Sequence, residues 1–238
     1  MDTSSPRSFT SSTQFLHGLR AALPILLGVA PFGMIYGVLA LKAGLSAGAA
    51  QAMSLGLFAG SAQFMIVQLA GAGAPWPVIV LTALVINLRH VLYSASLAPY
   101  TRRLAPAWKG LLAYLLVDEA YALAVTHYDR EGSGGGQHWY FLGAGLAVWA
   151  CWQASTALGI FLGAQVPEQW SLDFTLALTF IALVAPALKD RPMVFAAASA
   201  ALTAVIAYPL PYKAGLILAA GVGIAVGLWS EGRWQTSG

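Results

Sequence analysis

The sequence predicts an all-α integral membrane protein, a polytopic helical bundle of about seven transmembrane segments within a range of six to eight. Three observations carry this. The chain is 58% hydrophobic and only 9% charged, where a water-facing domain carries roughly a quarter charged residues. Its apolar residues gather in blocks of about 20, the length that crosses roughly 30 Å of hydrocarbon. Tryptophans mark block ends at Trp76, Trp108, Trp139, Trp170 and Trp229, where indole rings favour the headgroup region. Strands of a β-barrel would alternate in polarity over about ten residues, a pattern the chain lacks.

The blocks run near 16–41, 46–71, 76–99, 110–128, 139–163, 171–188 and 193–229. The last is long enough to divide at Tyr208-Pro209-Leu210-Pro211. Residues 1–14 are polar without the apolar core of a cleaved signal, so a disordered tail is expected there. A single transmembrane domain is expected over 15–230, with a C-terminal tail over 231–238.

Several function classes find no support in the residues. The glycine-rich stretch Asp129 to Gln137 lacks the Lys-Ser/Thr of a phosphate-binding loop. No HExxH is present, and the single cysteine, Cys151, can form no internal disulfide. A net charge of +3, scattered along the chain, does not suggest nucleic acid. No cofactor, metal site or catalytic residue is expected, and the chain does not read as an enzyme. The nearest imitation, His90 with Asp118, has only hydroxyls such as Ser94 at its depth as nucleophiles.

Basic residues cluster at Arg7 and Arg20, at Arg102, Arg103 and Lys109, and at Lys189 and Arg191. The positive-inside rule assigns all three groups to one side. Three blocks separate each group from the next, however, and an odd count puts neighbours on opposite sides. One block in each half dipping in and returning would reconcile them. Broken helices of this kind occur in transporters built from inverted repeats, and Pro24, Pro31 and Gly33 in block one and Gly60-Ser61 in block two are candidate breaks.

The centre of block three is charged. Val78 to Ile86 lead into Asn87, Arg89 and His90, and Val91 to Pro99 follow. Block four places Asp118-Glu119 between Gly110–Val117 and Ala120–Tyr128. Read as an antiparallel hairpin about the linker 100–109, both clusters lie about 15 Å deep. Two bases and two acids thus sit level, where a charge costs roughly 2.5–3.5 kcal/mol and persists by pairing or lining a cavity. Asn87, His90 and Ser94 share one stripe; Arg89, Tyr93 and Ser96 share another. In block two, Gln51, Ser54, Phe58, Ser61, Met65 and Gln68 recur at helical spacing beside Gln63, suiting a cavity wall or interhelical hydrogen bonds. Gly33/Gly37, Gly56/Gly60 and Gly223/Gly227 are spaced for close helix packing. His127 and His138 read as solvated, and Asp173 and Lys213 as interfacial.

The runs GLRAALPILLGVAPFGMIYG (18–37), FAGSAQF (58–64), NLRHVLYSASLAP (87–99) and DEAYAL (118–123) resemble the AzlC family, over about the first 130 residues. Members often carry Thr before the Asp-Glu pair, where this chain has Val117. The resemblance implies the large subunit of a branched-chain amino acid exporter, sometimes carrying methionine, with a small AzlD-type partner in a bacterial inner membrane. The residues suit a zwitterion with a greasy side chain. Arg89, or backbone amides freed near Pro31, Phe32 and Gly33, would meet the carboxylate. Asp118 or Glu119 would meet the ammonium or carry a proton. His90, with an unperturbed pKa of about 6.5, is the other proton carrier. Phe32, Phe58, Phe64, Met65 and Tyr93 would wall the side-chain pocket, with Gln63 beside them. The competing reading is a structural or assembly subunit whose charges only hold helices together.

Overall fold

A computed structural model describes residues 10–131, 136–165, 188, 190–211 and 214–235. Trp170, Asp173, Lys189, Lys213 and all of block 171–188 except its last residue lie outside the described residues. Among the described residues there are nine helices and no strand. They are α1 (Ser11–Lys42), α2 (Ala47–Gly56), α3 (Gly60–Gly71), α4 (Trp76–Thr101), α5 (Pro106–Tyr114), α6 (Asp118–Glu131), α7 (Gln137–Gly163), α8 (Arg191–Ile206) and α9 (Ala214–Gln235). Four of them, α1, α4, α7 and α9, are long and apolar enough to cross a membrane.

Local chemistry sets the ends. Thr10, Ser46 and Asp190 cap α1, α2 and α8 by accepting the N–H three residues on, which satisfies donors the helix leaves open. Pro106 opens α5, where its missing N–H costs nothing. Pro24 and Pro31 do not break α1, which runs unbroken through both. The expected break there is therefore absent, and no backbone N–H is freed at Phe32 and Gly33. The break in block two is present, at residues 57–59 just before Gly60. It also ends the single polar stripe expected along 51–68, because α2 and α3 are separate helices.

The chain gathers into two compact units, one of residues 1–67 and 83–166, the other of 68–82 and 167–238. The first is built on α1 and α7. Gly18 lies against Tyr140 and Ala144, Gly33 against Ser155, Gly37 against Thr156, and Gly163 against Val38. Partners rise together in number, so α1 and α7 are parallel. Where the surroundings are as apolar as the helices, association rests on close packing, and glycine permits it. In the second unit α8 and α9 form an antiparallel pair. Gly215 meets Ala207, Gly223 meets Ala200, and Gly227 meets Ala196. Block seven divides at the expected Tyr-Pro-Leu-Pro stretch. Gly56, by contrast, has nothing within 4 Å of a Cβ built on it among the described residues, so the packing expected of it is not made there.

Block four is not one helix. It breaks at 115–117 into α5 and α6, and side-chain contacts fix their directions. Trp108 on α5 packs on His138 and Trp139 at the start of α7, at 4.7 and 4.8 Å between ring centroids. Further along, the Trp149 indole donates to the Tyr114 hydroxyl at 2.8 Å. So α5 runs parallel to α7. Then α6 comes back: Leu115 lies by Gly145, while Tyr128 donates to the Gln137 carbonyl at 3.1 Å. Together α5 and α6 enter beside the start of α7 and return there, a re-entrant helical hairpin. Arg103→Cys and Arg130→Cys, each in a Cys151→Ser background, should react with a membrane-impermeant maleimide from the same side. Labelling from opposite sides would mean that block four crosses.

Candidate functional site at two helix breaks

Because α6 has turned back, it lies parallel to α4, and the expected antiparallel hairpin of blocks three and four is corrected. The contacts rise together. Arg89 pairs with Asp118, the Tyr93 hydroxyl donates to Asp118 Oδ1 at 2.9 Å, and Tyr121 donates to Ser96 at 3.0 Å. Tyr100 donates to Asp129 at 3.2 Å. Tyr93 and Tyr121 stack at 4.3 Å and 11°. The depth argument survives the correction, since it counts residues from the linker and both clusters remain equally far from it.

The four ionisable groups do not act alike. Arg89 and Asp118 form an ion pair, and Arg89, Tyr93 and Ser96 together face α6, the second stripe of the helix. His90 turns elsewhere, its Nδ1 3.2 Å from the Asn87 carbonyl. Glu119 forms no ion pair among the described residues. Asp118 is the first residue of α6, where an acid answers the positive end of the helix dipole. Side-chain exposures of 26% for Arg89 and 43% for Asp118 leave the pair partly open. The Asn87 Oδ1 and Arg89 Nε atoms are buried without a hydrogen-bond partner among the described residues. An unmet buried polar atom costs about 1–3 kcal/mol.

The second break adjoins the first. Tyr114, the last residue of α5, donates to the Leu55 carbonyl on α2 at 2.6 Å. Its ring lies 6.2 Å from that of Phe58, inside the 57–59 break. Trp149 and Trp152, which meet Tyr114 and Gly60 respectively, fall near the middle of α7. Both breaks are therefore at mid-depth of the first unit. Around α3 an aromatic cluster closes: Trp152 stacks on Tyr36 at 6.1 Å, and Phe64 stands edge-on to Tyr36 and Phe32. Tyr36 donates to the Ala50 carbonyl at 2.8 Å. Gln51 donates to Gln153 at 2.8 Å, and the Ser54 and Thr156 hydroxyls lie 3.4 Å apart.

Of the residues expected to line a cavity, Phe32, Phe58, Gln63 and Phe64 collect at the α2–α3 break, and Tyr93 stands by Asp118. Pro31 is exposed and faces away from this core. Gly33 is sealed by Ser155, whose Oγ would sit 2.0 Å from an added Cβ. Neither lines an opening. His127 and His138 are not simply solvated, because His127 stacks on Tyr140 at 3.7 Å and His138 meets Trp108. Sequence reasoning missed Tyr114, Trp149, Trp152, Gln153 and Thr156. The available signal was a tryptophan at 149 and 152 in the middle of an apolar block, followed by Gln, Ser and Thr.

An apolar helical scaffold with adjoining helix breaks and a charged pair at mid-depth defines a helical membrane protein with a polar interior. The AzlC protein family matches residues 24–166, and the chain belongs to the AzlC family. It is 26% identical to inner membrane protein YgaZ of Escherichia coli (strain K12), over 89% of each chain. An uncharacterized membrane protein of Archaeoglobus fulgidus is 28% identical over 77% of this chain and 80% of its own. One of Helicobacter pylori is 27% identical over 71% and 75%. No solved structure matches.

Proposed function

We propose that the chain is the large subunit of a secondary transporter that exports branched-chain amino acids, coupled to protons and working with a small AzlD-type partner in a bacterial inner membrane. The observation that carries this reading is the meeting of two helix breaks at mid-depth, one of them bearing Arg89, Asp118 and Tyr93. Transporters bind polar substrates where unwound backbone and helix ends replace water. A half-open carboxylate at that depth needs water, substrate or a partner against it, because lipid cannot solvate it.

Chain order supports a second re-entrant hairpin. Since α6 is antiparallel to α7 and parallel to α4, α4 is antiparallel to α1. The four-residue loops 43–46 and 72–75 then join α2 and α3 to the same end of the bundle. With that hairpin returning, α1 and α4 are the crossings between Arg20 and the Arg102, Arg103 and Lys109 group, which then share one side, as the positive-inside rule asks.

In this reading Asp118 is the proton carrier. Protonation removes its charge, releases Arg89, and loosens the contact between α4 and α6; deprotonation restores it. The outer face of α4, with Leu84, Leu88, Val91 and Leu92 each at least 60% exposed, suits lipid or the apolar partner subunit. Cells lacking their own exporters and fed a leucine- or valine-containing dipeptide should release the free amino acid when both subunits are present, several-fold above cells with neither. Equal release with and without the chain would favour a purely structural subunit.

A further inference from the structure

The first turn of α3 is open. No side chain caps it, since Leu57, Phe58 and Ala59 precede it. Among the described residues the N–H groups of Gly60, Ser61 and Ala62 carry no hydrogen bond, and the first bond of the helix is Gln63 N–H to the Ala59 carbonyl at 3.0 Å. No acidic residue stands in this turn, unlike the first turn of α6 with its two carboxylates. The two breaks therefore differ in sign: one presents acids, the other a bare positive helix end.

A second observation points to a ligand at that end. Gln63 is fully buried, and among the described residues its amide meets the Tyr36 hydroxyl but closes no hydrogen bond of good geometry. That hydroxyl donates to the Ala50 carbonyl at 2.8 Å. Gln63 is three residues after Gly60, so both lie on one helix face, and helical side chains lean back over the preceding turn. Trp152 presses on that same face, its ring within 2.9 Å of a Cβ built at Gly60, and its Nε1–H is also buried without a partner. A glycine here is what lets the indole come so near the backbone. Three backbone donors, the Gln63 amide and the Trp152 indole N–H thus belong to this one turn and the face packed on it.

The geometry points to a carboxylate-binding subsite at the first turn of α3, read by Gln63 and Trp152. It rests on the amino acid exporter reading, and it assigns the substrate's carboxylate to this turn and not to Arg89, whose guanidinium is already paired with Asp118. The two stations are distinct. Leu115 meets α7 at Gly145 and Gly60 meets it at Trp152, about 10 Å apart at helical rise. An amino acid's charges sit on neighbouring atoms and cannot span that distance. Phe32, Tyr36 and Phe64 then stand where an aliphatic side chain would lie.

The test is binding by the purified full-length chain with its partner subunit, read as thermal shift against leucine, 4-methylpentanoate, which lacks the ammonium, and isoamylamine, which lacks the carboxylate. Leucine and 4-methylpentanoate should stabilise the wild type, and isoamylamine should not. Gln63→Met, near in shape, should weaken leucine at least ten-fold, and Gln63→Glu should abolish it, while Gly48→Ala stays like wild type. Circular dichroism checks that each variant folds. Unchanged leucine affinity in both Gln63 variants overturns the subsite, as does stabilisation by isoamylamine alone. Stabilisation by 4-methylpentanoate but not leucine, lost in Gln63→Glu, keeps the subsite and removes the amino acid reading. A wild type that binds none of the three overturns both.

Discussion

Gly159→Val is expected to prevent the first unit from forming. A Cβ at Gly159 would lie 2.1 Å from the Met34 carbonyl oxygen and 2.7 Å from its Cα. Both obstacles are backbone, so no rotamer change makes room, and the whole α1–α7 seam would have to part. Overpacking a good interface costs about 1–3 kcal/mol and more where backbone must move; here about 3 kcal/mol or more is expected. Gly143, 2.1 Å from the Phe15 carbonyl, and Gly18, 2.0 Å from that of Tyr140, should respond alike. Gly28→Ala and Gly48→Ala, which meet nothing within 4 Å, are the matched controls. The yield of monodisperse detergent-solubilised protein reads the effect. Normal yield from Gly159→Val would mean that α1 and α7 are not in contact.

Asp118→Ala should cost less in stability and far more in function. It leaves Arg89 without its counter-ion and Tyr93 without its acceptor. Breaking a fully buried pair costs about 3–5 kcal/mol, but Asp118 is 43% exposed, so about 1–2 kcal/mol is the discounted expectation. Export should fall at least ten-fold, because the proposed mechanism gives the proton to this residue. The double variant Arg89→Leu/Asp118→Leu separates the two effects. It removes both charges, so thermal stability should recover toward wild type, while export stays lost. Recovery of export in the double variant would make the pair a helix fastener and nothing more.

Much of the fold could be read from residue order. Hydrophobic blocks against a bilayer of fixed thickness leave few choices, and α1, α4 and α7 fall where the blocks do. That the Arg89 and Asp118 clusters lie level was legible for a metric reason, each about nine or ten residues from one short linker, whereas which of the four groups pair was not. Direction was not legible. A crossing helix and a returning hairpin place Asp118 at the same depth, and only contacts such as Tyr100 with Asp129 and Tyr128 with Gln137 distinguish them. The charge bias had raised the problem without locating the break, because residues 115–117 are Leu-Leu-Val, as apolar as the helices beside them. Pro31 misled in the opposite sense. An apolar helix can absorb a proline when neighbours hold it straight, and α7 packs along α1 on both sides of it. Gly143 has no glycine four residues away and so escapes a four-residue motif, whereas Gly159 and Gly163 are such a pair; all three lie against α1.

The central claim is that a proton on Asp118 works an amino acid path between two helix breaks. Leucine efflux from vesicles holding both subunits, driven by an imposed pH gradient, tests it most directly. Wild-type vesicles should release leucine faster with the gradient than without it, and Asp118→Asn vesicles should show no response to the gradient at all. Undiminished gradient-driven efflux through Asp118→Asn would contradict the account.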